Sequence, residues 1–202
     1  MKFANVLCAE CNNVKTQPFD AAYDRFCDYV LSNENSIVQH RVIDFAEVYE
    51  KGFEDGQSNL YKYFAKLFAC DLVANGMRVP PDVRSLIDLR RFLTKLRVTF
   101  AVNEDKLILP PEDRPTGFDG LITTETNLRT RSDPNPSYSW GVFFSFLHIY
   151  FWYDWLPVEP LGACWVADSR FVYLGYFAPL TVETRDRMKA LAAPRWAAHH
   201  SS

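Results

Sequence analysis

The first half of the chain carries its apolar residues at helical spacing and the second half carries them in short, nearly unbroken runs, a division that predicts an α+β fold. Phe19, Tyr23, Phe26 and Val30 follow one another at intervals of four, three and four, the stripe of an amphipathic helix that begins near Pro18, takes Asp20 as N-cap and ends at Ser32 to Asn35. Ile37 to Tyr49 mixes β-branched, aromatic and charged residues and reads equally as strand or short helix. A second helix, capped by Ser58 or Asn59, runs through Leu60, Phe64, Leu67 or Phe68 and Leu72 to a stop at Gly76. Pro80-Pro81-Asp82 opens a third, Val83 to Thr94, with Val83, Leu86, Ile87 and Leu93 turned inward.

From Val98 the pattern changes to strands. Val98 to Val102 and Gly120 to Thr126 are separated by the loop Pro110 to Asp113, and Arg129 to Ser139 forms a further loop. Trp140 to Trp155 is apolar on both alternating sets, which predicts a strand covered on both faces. Ala163 to Ala167 and Phe171 to Phe177 read as a hairpin turning at Asp168-Ser169-Arg170. Thr181 caps a last helix, and the tail from Pro194 is expected to be disordered. The expected organisation is therefore a first unit over residues 1–35, an α+β unit over 36–193 with an antiparallel β-rich end, and a tail over 194–202.

At 202 residues, 48% hydrophobic and 23% charged, the chain has an ordinary globular composition, which excludes a disordered protein. The net charge of −3 gives no field that draws the whole molecule onto phosphate, so any nucleic-acid contact needs a local basic patch. Five cysteines at irregular spacing do not make a disulfide framework and fit a reducing, cytoplasmic location. No apolar run of signal-peptide length precedes Cys8. The longest apolar run, Val142 to Tyr153, holds Ser145 and His148 and falls well short of the roughly 20 residues of a membrane span.

One stretch points to chemistry rather than packing. Cys8 and Cys11 form a Cys-x-x-Cys pair, whose spacing lets two thiolates on one tight turn face the same tetrahedral ion, usually zinc. Alone, such a pair is also compatible with a redox couple or with two ordinary thiols.

The residues that follow narrow the choice. Leu7-Cys8-Ala9-Glu10-Cys11-Asn12-Asn13-Val14-Lys15-Thr16-Gln17-Pro18-Phe19-Asp20 resembles the second zinc knuckle of HNH-type endonucleases, which leads into the helix of a ββα-metal unit, and more narrowly a bacterial HNH-like group with a long C-terminal extension. The resemblance covers residues 6–30. It implies that Cys8 and Cys11 are the second pair of a four-cysteine structural zinc site and that Asn12 stands at the last metal-binding position. A complete member also carries a first Cys-x-x-Cys and a catalytic histidine upstream, yet only seven residues precede Cys8, and the family's middle asparagine falls at Phe3, which cannot bind an ion. The implied half site leaves no role for a catalytic divalent ion such as magnesium unless the missing N-terminal segment is supplied. None of His40, His148, His199 and His200 stands at the base position.

For nucleic acid, Lys15 stands at the start of the helix region, and Arg84, Arg90, Arg91, Lys95 and Arg97 form the strongest run of positive charge, against Asp82 and Asp88. The same run is compatible with a solvated helix face. The expectation is thus the C-terminal portion of an HNH-type metal-dependent nuclease-like protein, inactive or nearly so by itself. The alternative is a non-catalytic module that binds a nucleic acid or a protein partner.

Overall fold

The computed structural model describes residues 15–86, 94–109, 121–123, 127–129, 137–154 and 164–199. Helices cover one face of a mostly antiparallel sheet, so the protein is α+β. The helical layer comprises α1 (Gln17–Ser32), α2 (Glu34–His40), α3 (Phe45–Tyr49), α4 (Phe53–Ala74) and α5 (Pro81–Ser85), with a short strand β1 (Val42–Asp44) among them. The β layer has β2 (Leu96–Asn103), β3 (Leu121–Thr123), β4 (Asn127–Arg129), β5 (Ser137–Phe144), β6 (Leu147–Tyr153), β7 (Phe171–Tyr173) and β8 (Gly175–Phe177), followed by α6 (Val182–His199).

The stripe on α1 buries Phe19, Ala22, Phe26 and Val30. Its N-cap is Thr16, not Asp20: with Pro18 inside the first turn the helix starts earlier, and Asp20 becomes a first-turn carboxylate facing the positive end of the dipole. The ambiguous segment 37–49 holds both structures, the end of α2, then β1, then α3, whose cap Asp44 accepts from the Ala46 backbone N–H at 2.9 Å. Helix α4 has its N-cap at Gly52, several residues before the expected cap, because Gly52 at φ 86° turns the chain and Glu54 and Asp55 suit the first turn. Its end matches the expectation: Gly76 takes φ 71° and donates to the Val73 carbonyl at 3.0 Å, and Met77 donates to the Leu72 carbonyl at 2.8 Å.

Three expectations fail in the β layer and at the end of the chain. The run from Trp140 is a hairpin, not one strand: β5 and β6 pair antiparallel from Tyr138 opposite Tyr153 to Phe144 opposite Leu147, with Ser145 at φ 50° making the turn. The expected hairpin over 163–177 does not form. Trp165 makes an isolated bridge to Val98, β7 pairs with β1, and β8 joins the edge of the main sheet parallel to β2. The switch occurs at Leu174, whose N–H donates to the Arg41 carbonyl at 2.9 Å and so ties the chain between the two sheets. Finally, α6 is capped by Thr181 as expected but continues through Pro194 to His199, since alanine-rich flanks hold helical backbone across the one missing N–H. The main sheet runs β3-β5-β6-β2-β8, with β4 also on β5.

One core joins the layers. Phe64 of α4 is fully buried and lies 6.1 Å from Phe26 of α1, 6.0 Å from Phe100 of β2, 5.7 Å from Phe151 of β6 and 6.3 Å from Trp165, ring centre to ring centre. The Tyr49 hydroxyl donates to the Ala22 carbonyl and the Tyr61 hydroxyl to the Leu96 carbonyl, each at 2.8 Å, so both buried phenols are satisfied. The aromatic residues of β5 and β6 that face α4 belong to this core rather than to an exposed stacking surface.

The opposite face of the sheet is also buried and carries His148, 1% exposed, between Phe143 at 4.5 Å and Phe177 at 4.1 Å with Tyr150 edge-on at 4.9 Å. Neither ring nitrogen has a hydrogen-bond partner among the described residues, and burial lowers the imidazole pKa to about 4. The unfolded chain, with an ordinary histidine, takes up this proton near pH 6.5, before the folded one does. Stability from the neutral ring is therefore complete above about pH 6.5 and is lost as pH falls towards 4, by roughly 3 kcal/mol in all. Urea unfolding between pH 4 and 7 should show that loss, and His148→Phe should flatten this part of the profile; an unchanged slope in the variant contradicts the assignment.

Candidate site at the start of the first helix

Lys15 and Thr16 lead directly into α1. Lys15 is exposed and Thr16 is completely buried. Lys66, four turns along the facing helix α4, donates from Nζ to Thr16 Oγ1 at 3.1 Å and to the two Asp20 oxygens at 2.8 and 3.2 Å. Lys62, one turn earlier on α4, places its ammonium 5.4 Å from the centre of the buried Phe19 ring. Thr16, Phe19 and Asp20 thus fix the start of α1 onto α4. This is a docking function, legible only once both helices are in place.

Cys8, Cys11 and Asn12 lie outside the described residues, as do Arg90 and Arg91. Among the described residues no three of His, Cys, Asp and Glu come together as metal ligands. Cys27, Cys70 and Cys164 are free thiols, each with its pKa raised by burial, that of Cys27 to about 12. They are poor nucleophiles in this state. His40 is exposed on α2, and His148 is enclosed in the sheet between Phe143 and Phe177.

The expected basic run is divided. Lys95 pairs with Asp154 at 3.0 Å, while its backbone N–H donates to Asp82. Burial opposes ionisation of Asp82, but that N–H, the Tyr153 hydroxyl and Thr94 outweigh it and hold the carboxyl below its usual range. Arg97 turns to the Thr94 and Leu96 carbonyls at 2.7 and 2.9 Å. These two cations therefore serve the junction between α5 and β2. Arg84 remains exposed and lines a hollow together with Lys62, Lys66 and Arg78. Sequence reasoning missed that grouping, because Lys62, Lys66 and Arg78 lie on a helix and a loop with no local charge run to mark them; the i, i+4 spacing of Lys62 and Lys66 is the only signal.

Lys66→Ala should cost about 1–2 kcal/mol, a charge-assisted pair discounted for the partial exposure of Asp20. The loss should be local, with faster amide hydrogen exchange over the first two turns of α1. Unchanged exchange there would show that Lys66 does not hold the helix start.

Compared with known protein families, curated proteins and solved structures, the chain finds no match in any of the three.

Proposed function

We propose that this chain is the C-terminal portion of an HNH-type metal-dependent nuclease-like protein, with Cys8 and Cys11 as the second pair of zinc ligands and Asn12 beside them. The observation that supports the proposal is the helix start downstream of Cys8 and Cys11: Thr16 caps α1 and is held there by Lys66. A knuckle needs such a fixed exit, because two thiolates bind an ion tightly only when the turn bearing them is held in one geometry. The phosphodiester chemistry of such a site needs a base beside a divalent ion. His40 is exposed on α2 and His148 is enclosed in the sheet, and on this reading the base belongs to the upstream part of the motif, so the chain by itself is inactive or nearly so.

A second reading, a non-catalytic binding module, draws on a different observation: Lys62, Lys66, Arg78 and Arg84 gather on one surface although the chain as a whole is acidic. On either reading the protein contains no helix, among the described residues, that is long and apolar enough to cross a membrane.

Metal analysis and a cleavage assay on the same preparation test the first reading. The expected result is tightly held zinc that is lost in Cys8→Ser and Cys11→Ser, together with no cleavage of DNA or RNA when magnesium or zinc is added. Zinc content indifferent to both substitutions would remove the knuckle, and vigorous metal-dependent cleavage that resists further purification would remove the claim of inactivity.

A further inference from the structure

A hollow of about 510 Å³ opens between the C-terminal half of α4 and the segment 77–86 that returns alongside it. This volume lies within the range of about 300–1,000 Å³ common to small-molecule sites. Its floor is aliphatic, formed by Ala65, Ala69 and Val73 of α4 with Val83 and Leu86 opposite, and the Cys70 thiol, kept neutral by burial, adds to that surface. Among the described residues no aromatic ring and no carboxylate lines it, whereas four cations do. Lys66 is neutralised by Asp20, but Arg78 and Arg84 make no ion pair among the described residues.

This lining discriminates between kinds of anion. Inorganic phosphate or a sugar phosphate would meet the arginines and leave the apolar floor wet, which costs about 25 cal/mol for each Å² not covered. A nucleobase would find, among the described residues, no ring to stack on, the contact that ordinarily holds single-stranded nucleic acid. An unbranched hydrocarbon chain with one anionic end satisfies both parts, burying its methylenes on the floor and placing its charge at the rim. We propose that this hollow binds a free aliphatic carboxylate, a fatty acid of medium chain length, with the chain on the Ala65–Val73 face of α4 and the head attracted by Arg78 and Arg84. The site is independent of the cysteine turn, so it stands whether or not the chain is nuclease-like.

Calorimetry of the full chain with dodecanoate, kept below its aggregation concentration, tests the proposal, with dodecanol, inorganic phosphate and a short single-stranded oligonucleotide as comparison ligands. Saturable binding of one dodecanoate per chain is expected, with no heat from phosphate and about tenfold weaker binding of dodecanol. Arg78→Glu combined with Arg84→Glu should weaken dodecanoate by about tenfold or more. Val73 is 40% exposed, so Val73→Trp can fill the hollow without entering the core and should abolish binding while circular dichroism stays unchanged. Dodecanoate should also slow alkylation of Cys70, located by peptide mass spectrometry. The proposal is overturned by absence of saturable dodecanoate binding, by wild-type affinity in a folded Val73→Trp, or by oligonucleotide binding that Val73→Trp removes while dodecanoate does not bind.

Discussion

The fold depends on the contact that Phe64 makes from the middle of α4. Its ring meets rings from α1, from β2 and β6, and from the Trp165 bridge, so one side chain touches every layer of the molecule. Three of these pairs, with Phe26, Phe151 and Trp165, are edge-to-face, an arrangement that contributes about 0.5–1.5 kcal/mol each beyond the area buried. More important is the geometric constraint, since a close-packed interior transmits small displacements instead of absorbing them. Phe64 thus couples the seating of α1 on α4 to that of the helices on β2 and β6.

That constraint extends outward to the candidate site. Phe26 and Phe64 set the height of α1 on α4, and the same pairing brings Thr16 and Asp20 to Lys66 and Phe19 to Lys62. The motif Lys-Thr-Gln-Pro-Phe-Asp therefore divides into a part that docks and a part that remains exposed. Thr16, Phe19 and Asp20 are accounted for by packing and hydrogen bonding, and Lys15 is left at the surface. The buried positions are explained without any ligand, so the case for a metal centre rests on Cys8 and Cys11 themselves.

The helical part of this arrangement was legible from spacing. The α1 stripe and the Gly76 stop of α4 follow from local rules, periodicity in one case and a left-handed backbone position in the other. The start of α4 was hidden by Glu54 and Asp55, charges that suggest a loop yet are favourable in a first helical turn. The β5–β6 turn was invisible because it uses Ser145 in place of glycine or asparagine and buries Phe146, so nothing interrupts the apolar run. The fate of 163–177 was set by distant partners, Val98, β1 and Arg41, which no short window contains. The candidate site was legible in its residue types but not in its grouping: Arg84 leaves the run it shares with Lys95 and Arg97 and joins cations brought to it by the return of 77–86 along α4.

That Cys8 and Cys11 bind zinc is the chemical claim on which the nuclease-like reading stands. X-ray absorption at the zinc edge of the metal-loaded protein tests it most directly, because it counts donors without depending on activity. The expected spectrum has two sulfur atoms at about 2.3 Å with nitrogen or oxygen donors completing the shell. A shell without sulfur contradicts the account.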